Sequence, residues 1–246
     1  MSTTSSSSSN STTPQDSRAG QADARTDANA RTDANAHTDA NARTREIGRA
    51  QRSQRNREMI LTVAMGGICL ALSFVLSQIK LFNMPQGGTI TPASMLPLIF
   101  FALCFGAPKA YCVAFLFSLL QLLGGYFVHP AQVLLDYILA FTALGTAGLF
   151  AAGKAKRLAT TNALTRLKMV PFWRIILAVL LSCALRCACH VLAGVIFFAE
   201  YAGEQNVWIY SIAYNGSFIA VEAAITCALL VGISAGLGML RRGKST

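Results

Sequence analysis

Residues 59–79 read MILTVAMGGICLALSFVLSQI, 21 positions without a single charge. A bilayer core of about 30 Å needs about 20 residues of helix to cross it, so this stretch is long enough to span. Six arginines stand directly in front of it, Arg43, Arg45, Arg49, Arg52, Arg55 and Arg57. Cationic flanks stay on the cytoplasmic side of a membrane, which puts the N-terminus inside. A basic run can also hold nucleic acid, but no nucleic-acid-binding fold surrounds this one, and its position beside a span suits anionic membrane lipid.

Upstream the composition changes completely. Residues 1–57 are polar and repetitive: SSSSSNST is followed by RTDANA from Arg25, RTDANA from Arg31 and HTDANA from His37. A period of six fits neither a heptad nor a solenoid unit, and almost nothing apolar is present to offset the entropy of ordering. The expectation is a disordered cytoplasmic tail over 1–57 and a membrane domain over 58–246. The first apolar run lies too far from Met1 for a signal peptide, so no cleaved leader is expected.

Downstream, hydropathy places further spans near 92–108, 110–128, 131–153, 172–199 and 208–240. The cations test this count. Lys109, then Lys154, Lys156, Arg157, Arg166, Lys168 and Arg174, then Arg241, Arg242 and Lys244 fall on the side of the tail. The opposite loops hold Lys80, Glu200 and Glu204. The predicted fold is an all-α integral membrane protein of six transmembrane helices with both termini in the cytoplasm.

This topology assigns a depth to each polar or aromatic residue. Tyr126 ends the third span, and His129, Gln132, Asp136 and Tyr137 begin the fourth. His190 and Phe198 lie near the end of the fifth, and Trp208, Tyr210, Tyr214 and Asn215 begin the sixth. All fall in the outer half, which predicts a pocket open to the outside. Trp208 and Tyr201 also suit an interfacial aromatic belt. Asp136 is harder to explain that way, because an ionisable group within a span is costly and usually faces a cavity or a partner. Gln132 and Asp136 share a helical face, with His129 beside them.

Arg186 and His190 are four apart on the fifth span. Arg186 needs a counter-charge, with Asp136 and Glu222 both available, and Glu222 lies two turns beyond Asn215 on its face. Seven cysteines fall within the spans. Cys183, Cys187 and His190 share one face, yet no second ligand cluster accompanies them, so neither a metal nor a disulfide is expected. Aromatic rings, a carboxylate, a histidine and an asparagine in one pocket suit a small, flat, cationic heterocycle.

The C-terminal GMLRRGKST matches the pattern of a phosphate-binding loop at Gly238, Gly243, Lys244 and Ser245. Such a loop works between a strand and a helix. Here it follows an apolar span with no helix after it, so it reads as a cytoplasmic flank, and any ATP hydrolysis is expected from a partner.

MPQGGTITPASMLPL, GGYFVHPAQVLLDYILAF, HVLAGVIFFAEYA and WIYSIAYNGS, in this order from Met84 to Ser217, resemble the successive motifs of the thiamine-specific S components of energy-coupling factor transporters. The resemblance covers about 59–240. It implies a prokaryotic plasma-membrane protein that binds thiamine through Tyr126, Asp136, Tyr137, His190, Phe198, Tyr210 and Asn215, without a cofactor and without catalysis. His129, Gln132, Arg186 and Glu222 would support that set. Aspartate stands at 136 where some members have glutamate, Phe198 stands where a tryptophan can stack, and Gly88 stands where others carry a tryptophan. The implied partners are a transmembrane coupling protein and two ATPase subunits, with docking through small residues of the first helix such as Gly67 and Ala71. Two other readings fit the residues: an S component or proton-coupled carrier for a different vitamin or cationic heterocycle, with Glu222 available for the proton, and an intramembrane enzyme with His190 and Asp136 as acid and base.

Overall fold

The computed structural model describes residues 14–84 and 88–242, with side chains from 41 to 237 outside that gap. The chain divides between Arg55 and Asn56. The first helix, α1, runs Pro14–Gln78 and carries the hexapeptide repeat as well as the first span. From 41 to 57 every residue except Gly48 is exposed, so this stretch supplies no core, as its lack of apolar side chains requires.

A two-stranded hairpin follows, β1 (Phe82–Asn83) antiparallel to β2 (Thr89–Ile90). Then come α2 (Leu96–Phe105), α3 (Ala107–Leu120) and α4 (Pro130–Phe150). Two short helices, α5 (Lys154–Leu158) and α6 (Ala163–Lys168), precede α7 (Phe172–Phe197) and α8 (Val207–Arg242). Among the described residues, five helical stretches are long and apolar enough to cross a membrane: those of α1, α4, α7 and α8, and α3 together with the turn that carries it on to Gly124.

The second expected span, 92–108, is instead the ten-residue helix α2. Residues 91–95 before it are not helical, and Ala93 sits at φ 63°. Pro97 suits the first turn, where no N–H is missed. Gly106, at φ 87°, ends the helix in a conformation that an L side chain adopts poorly. α2 is apolar on all sides, and Ile99, Phe101, Ala102, Leu103 and Cys104 have no measurable exposure. A helix of that kind belongs inside the bundle rather than against lipid, and irregular backbone at membrane depth is tolerated where protein covers it.

Charges lock the end of the bundle where α2 meets α3. Glu58 of α1 accepts from Lys109 Nζ at 2.6 Å and pairs with Arg166 of α6, whose side chain is buried. The Arg166 guanidinium also lies 4.9 Å from the centre of the Phe105 ring and donates to the Thr160 carbonyl. These expected cytoplasmic cations therefore hold structure together as well as orienting the chain.

α4 is not uniform. His129 caps its start, with Nδ1 accepting from Ala131 N at 3.1 Å. Residues Leu134–Leu139 form a π-turn, and Ala143–Phe150 tighten into a 3-10 helix. The tight end lets α3 approach: a Cβ added at Gly148 would stand 2.4 Å from the Ala107 amide nitrogen and 2.5 Å from its Cα. Backbone cannot move aside as a side chain can. Gly148→Ala is expected to destabilise the fold by about 1–3 kcal/mol through this overpacking, read as a lowered thermal midpoint in detergent. An unchanged midpoint would contradict the close α3–α4 crossing.

The C-terminal pattern meets a helix, not a loop. α8 continues through Gly238 to Arg242, and Lys168 Nζ donates to the Leu237 carbonyl at 3.2 Å. Gly243, Lys244 and Ser245 lie outside the described residues.

Candidate binding site

A cavity of about 230 Å³ opens among α4, α7, α8, the hairpin and the ends of α1 and α3. It is lined by Tyr126, Gln132, Asp136, Tyr137, Arg186, His190, Phe198, Tyr210, Asn215 and Glu222, which are all but one of the binding and supporting residues that the resemblance implies. The exception is His129. It faces away, capping α4 and stacking on Phe197 at 5.3 Å between ring centres. Pro130 starts the helix at that point, so the helical spacing that put His129 beside Gln132 does not extend back to it.

The π-turn of α4 carries Asp136 and Tyr137. Insertion of an extra residue in a helix re-aims side chains, and such turns are frequent at functional sites. Asp136 accepts from Gln132 Nε2 at 2.8 Å through Oδ2, while Oδ1 meets His190 Nδ1 at 2.9 Å. Tyr137 turns its hydroxyl to the Tyr126 backbone, accepting from its N–H at 2.8 Å. That bond fixes the loop between α3 and α4 over the cavity.

Arg186 lies at the floor. Its Nη1 is 3.0 Å from Glu222 Oε2, its Nε donates to His190 Nε2 at 3.3 Å, and its guanidinium stands 4.6 Å from the Phe141 ring centre. Of the two counter-charges the sequence offers, the ion pair is with Glu222. The other Glu222 oxygen accepts from the Thr91 N–H at 3.0 Å and from the Thr91 hydroxyl. A buried carboxylate thereby satisfies the free backbone end left by the interrupted second span.

Aromatic rings close the walls. Tyr126 and Phe198 stack at 6.3 Å between centres, and Tyr210 and Tyr214 at 6.1 Å. The Tyr201 phenol, at the loop end, is held above its ordinary pKa, first by its hydrogen bond with Tyr126. Asn215 Nδ2 is bonded to the Ser211 carbonyl at 3.0 Å and to the His190 carbonyl at 3.4 Å, tying α8 to α7.

Phe141, Phe218, Ser211, Gly194 and Thr91 also border the cavity and were not singled out from the sequence. A signal for two of them exists. Phe141 follows Tyr137 by four residues and Phe218 follows Tyr214 by four, which continues an aromatic ladder along one helical face. At Gly88 the space beside the backbone is taken: Tyr214 Oη accepts from the Gly88 N–H at 3.1 Å and lies 2.8 Å from where a Cβ would stand. Gly67 and Ala71 are exposed, and it is Gly66 that packs within the subunit, against Val113 and Phe101. Cys183 is buried near Met95 rather than grouped with His190, whose ring nitrogens are both occupied.

Comparison with known proteins then decides the family. The profile described as thiamine transporter protein (Thia_YuaJ) matches residues 63–238, most of the chain. The chain belongs to the thiamine transporter family. It is 35% identical over 152 residues to the thiamine transporter ThiT of Bacillus subtilis (strain 168), an alignment covering 61% of this chain and 76% of that protein. Against the thiamine transporter ThiT of Lacticaseibacillus paracasei (strain ATCC 334) identity is 27% over 160 residues, covering 61% and 77%. Among solved structures, ThiT from Listeria monocytogenes superposes with a TM-score of 0.61 at 24% identity, over 74% of this chain and 97% of that one, and supports the fold. The bacterial relatives and the five long apolar helices make this family member a multi-pass protein of the prokaryotic plasma membrane.

Proposed function

We propose that this chain is the thiamine-binding S component of an ATP-driven vitamin importer of the energy-coupling factor type, and that it takes thiamine from outside into the cavity between α4, α7 and α8. The observation that carries the reading is Asp136, a carboxylate set in an aromatic cavity with Gln132 and His190 bonded to it. The neighbouring carboxylate, Glu222, is already paired with Arg186. One uncompensated negative charge under aromatic rings suits one permanent organic cation such as the thiazolium of thiamine. Asn215 spends its amide N–H groups on the bundle, which leaves Oδ1 to accept from the amino group of the ligand's pyrimidine.

Nothing in this reading asks the chain to hydrolyse ATP. Two partner ATPase subunits and a transmembrane coupling protein would do so, docking on the exposed Gly67 and Ala71 of α1, where small residues permit close helix approach. Release inside would follow reorientation of the docked bundle, driven by a difference in thiamine affinity between the two orientations.

The test is isothermal titration of the full chain in detergent with thiamine, riboflavin and biotin. One-to-one thiamine binding without any partner, and no heat with the other two, is the expected result. A folded protein that ignores thiamine and binds another vitamin would overturn the substrate assignment. Position 88 offers a sharper check of the cavity's shape. Because Tyr214 fills the space beside it, Gly88→Trp is expected to displace that ring and weaken thiamine binding about threefold to tenfold. A gain in affinity would show that the Tyr214 contact is not part of the binding geometry.

A further inference from the structure

We infer that Arg186 is a positioning residue that holds His190 in its neutral, Nδ1-protonated form, so that the cavity keeps one unpaired negative charge, on Asp136, across the physiological pH range. The consequence for ligand binding rests on the thiamine reading above; the tautomer itself does not.

Arginine carries five N–H donors and no acceptor. Since Arg186 Nε is bonded to His190 Nε2, that ring nitrogen must present its lone pair and cannot carry a proton. The ring's single proton then sits on Nδ1 and is donated to Asp136 Oδ1, 2.9 Å away. Donation runs one way, from Arg186 to His190 to Asp136. Arg186 is itself fixed from two further sides, by Glu222 Oε2 at 3.0 Å and by the Phe141 ring.

The charged groups acting on the imidazole from the elements around it are Asp136 on α4, Arg186 on its own helix α7 and Glu222 on α8. Phe141 and Phe218 meet the ring edge-on, at 6.1 and 6.2 Å between centres. A second proton on the ring would have to enter at Nε2, against the guanidinium. Without Arg186 the guanidinium would no longer bar Nε2, and an imidazolium formed there would neutralise Asp136 and compete with a cationic ligand for the same carboxylate. Arg186 thus acts on binding without touching the ligand's charge, by denying Asp136 an internal cation.

The inference is tested on the full chain in detergent, labelled with 15N in the imidazole rings, from pH 6 to 8. That range keeps the pyrimidine of thiamine neutral. His37, His129 and His190 are the histidines of the chain, and His190→Gln assigns the signal. The expected spectrum shows His190 with Nδ1 protonated and Nε2 bare, unchanged over the range. In Arg186→Met/Glu222→Gln, which removes the ion pair but keeps an acceptor for Thr91, the ring should titrate. A free imidazole, with a value of about 6.5, is about threefold more charged than neutral at pH 6, and this sets the upper limit for a buried ring. Thiamine affinity in this variant should then be weaker at pH 6 than at pH 8 by up to about fourfold, where the wild type varies by less than about twofold.

A wild-type His190 that carries its proton on Nε2, or that titrates between pH 6 and 8, overturns the inference. So does a folded double variant whose His190 still does not titrate. If that variant does not fold, the wild-type spectrum decides alone. Absence of thiamine binding with the Nδ1–H signature in place supports the tautomer assignment and overturns the thiamine reading instead.

Discussion

Asn in place of Asp136 is expected to weaken thiamine binding about a hundredfold while leaving the fold intact. The two side chains have nearly the same shape, and asparagine keeps an oxygen for Gln132 Nε2, which donates to Asp136 at 2.8 Å. What disappears is the negative charge, together with the acceptor for the His190 Nδ1–H. Hydrogen bonds and close contacts to a charged group are worth about 1.5–3 kcal/mol, and about 2.7 kcal/mol is a hundredfold in affinity. The loss should be at the large end, because Glu222 cannot substitute: Arg186 and Thr91 already occupy its oxygens. Asp136→Glu keeps the charge and should recover most of the affinity. Calorimetric titration measures the three proteins side by side, and a thermal melt checks that each is folded. A loss under about threefold in Asp136→Asn would mean that the cation is held elsewhere, and the proposed site would have to be abandoned.

Arg186→Met alone is expected to cost the fold about 3–5 kcal/mol, the largest stability effect predicted for this chain. It strands Glu222, whose side chain is 2% exposed, as an unpaired charge inside the bundle. Removing one partner of a buried ion pair leaves the desolvation cost of the other without compensation, and at membrane depth no water can enter cheaply to replace it. Two kinds of connection fail together. Glu222 also receives the Thr91 N–H and hydroxyl at the break before α2, so its displacement would loosen the hairpin end of the cavity. Pairing the change with Glu222→Gln removes the stranded charge and retains the Thr91 acceptor. Most of the loss should be recovered, a coupling that a double-mutant cycle isolates. The single variant should melt about 10 °C lower than the parent and the double variant within a few degrees of it. Equal melting temperatures for the single and double variants would show that no pair exists between these side chains.

Much of the architecture was legible in the order of residues alone, since a membrane imposes a one-dimensional rule. A helix must stay apolar for a fixed length, so hydropathy marked six spans, and five of them coincide with long apolar helices among the described residues. The same reasoning drew most of the cavity together, because polar and aromatic residues assigned to one depth do meet there.

Where the reading of the sequence departed from the structure, the reason lies in what neighbouring elements do. Residues 92–108 are as apolar as a span, yet they form a short helix after an irregular segment, because other helices cover that backbone and Glu222 satisfies its free N–H. Hydropathy responds equally to lipid and to protein as an apolar surrounding and cannot separate the two. His129 was misplaced because a helical face was assumed through Pro130, where the helix begins.

The sequence by itself determined that this is a helical membrane protein and which residue types gather at one end of its spans, for these follow from composition along a line measured against the bilayer. Which carboxylate pairs with Arg186 was decided only by the tertiary structure. Asp136 and Glu222 are equally plausible partners for Arg186 by spacing, and the packing of α8 against α7, close enough at Gly194 for Ser211 Oγ to lie 2.2 Å from a Cβ placed there, brings Glu222 to the guanidinium while the π-turn of α4 turns Asp136 to His190. Charge pairing depends on distances of a few ångströms between helices, and those distances are set by packing between segments far apart in the chain.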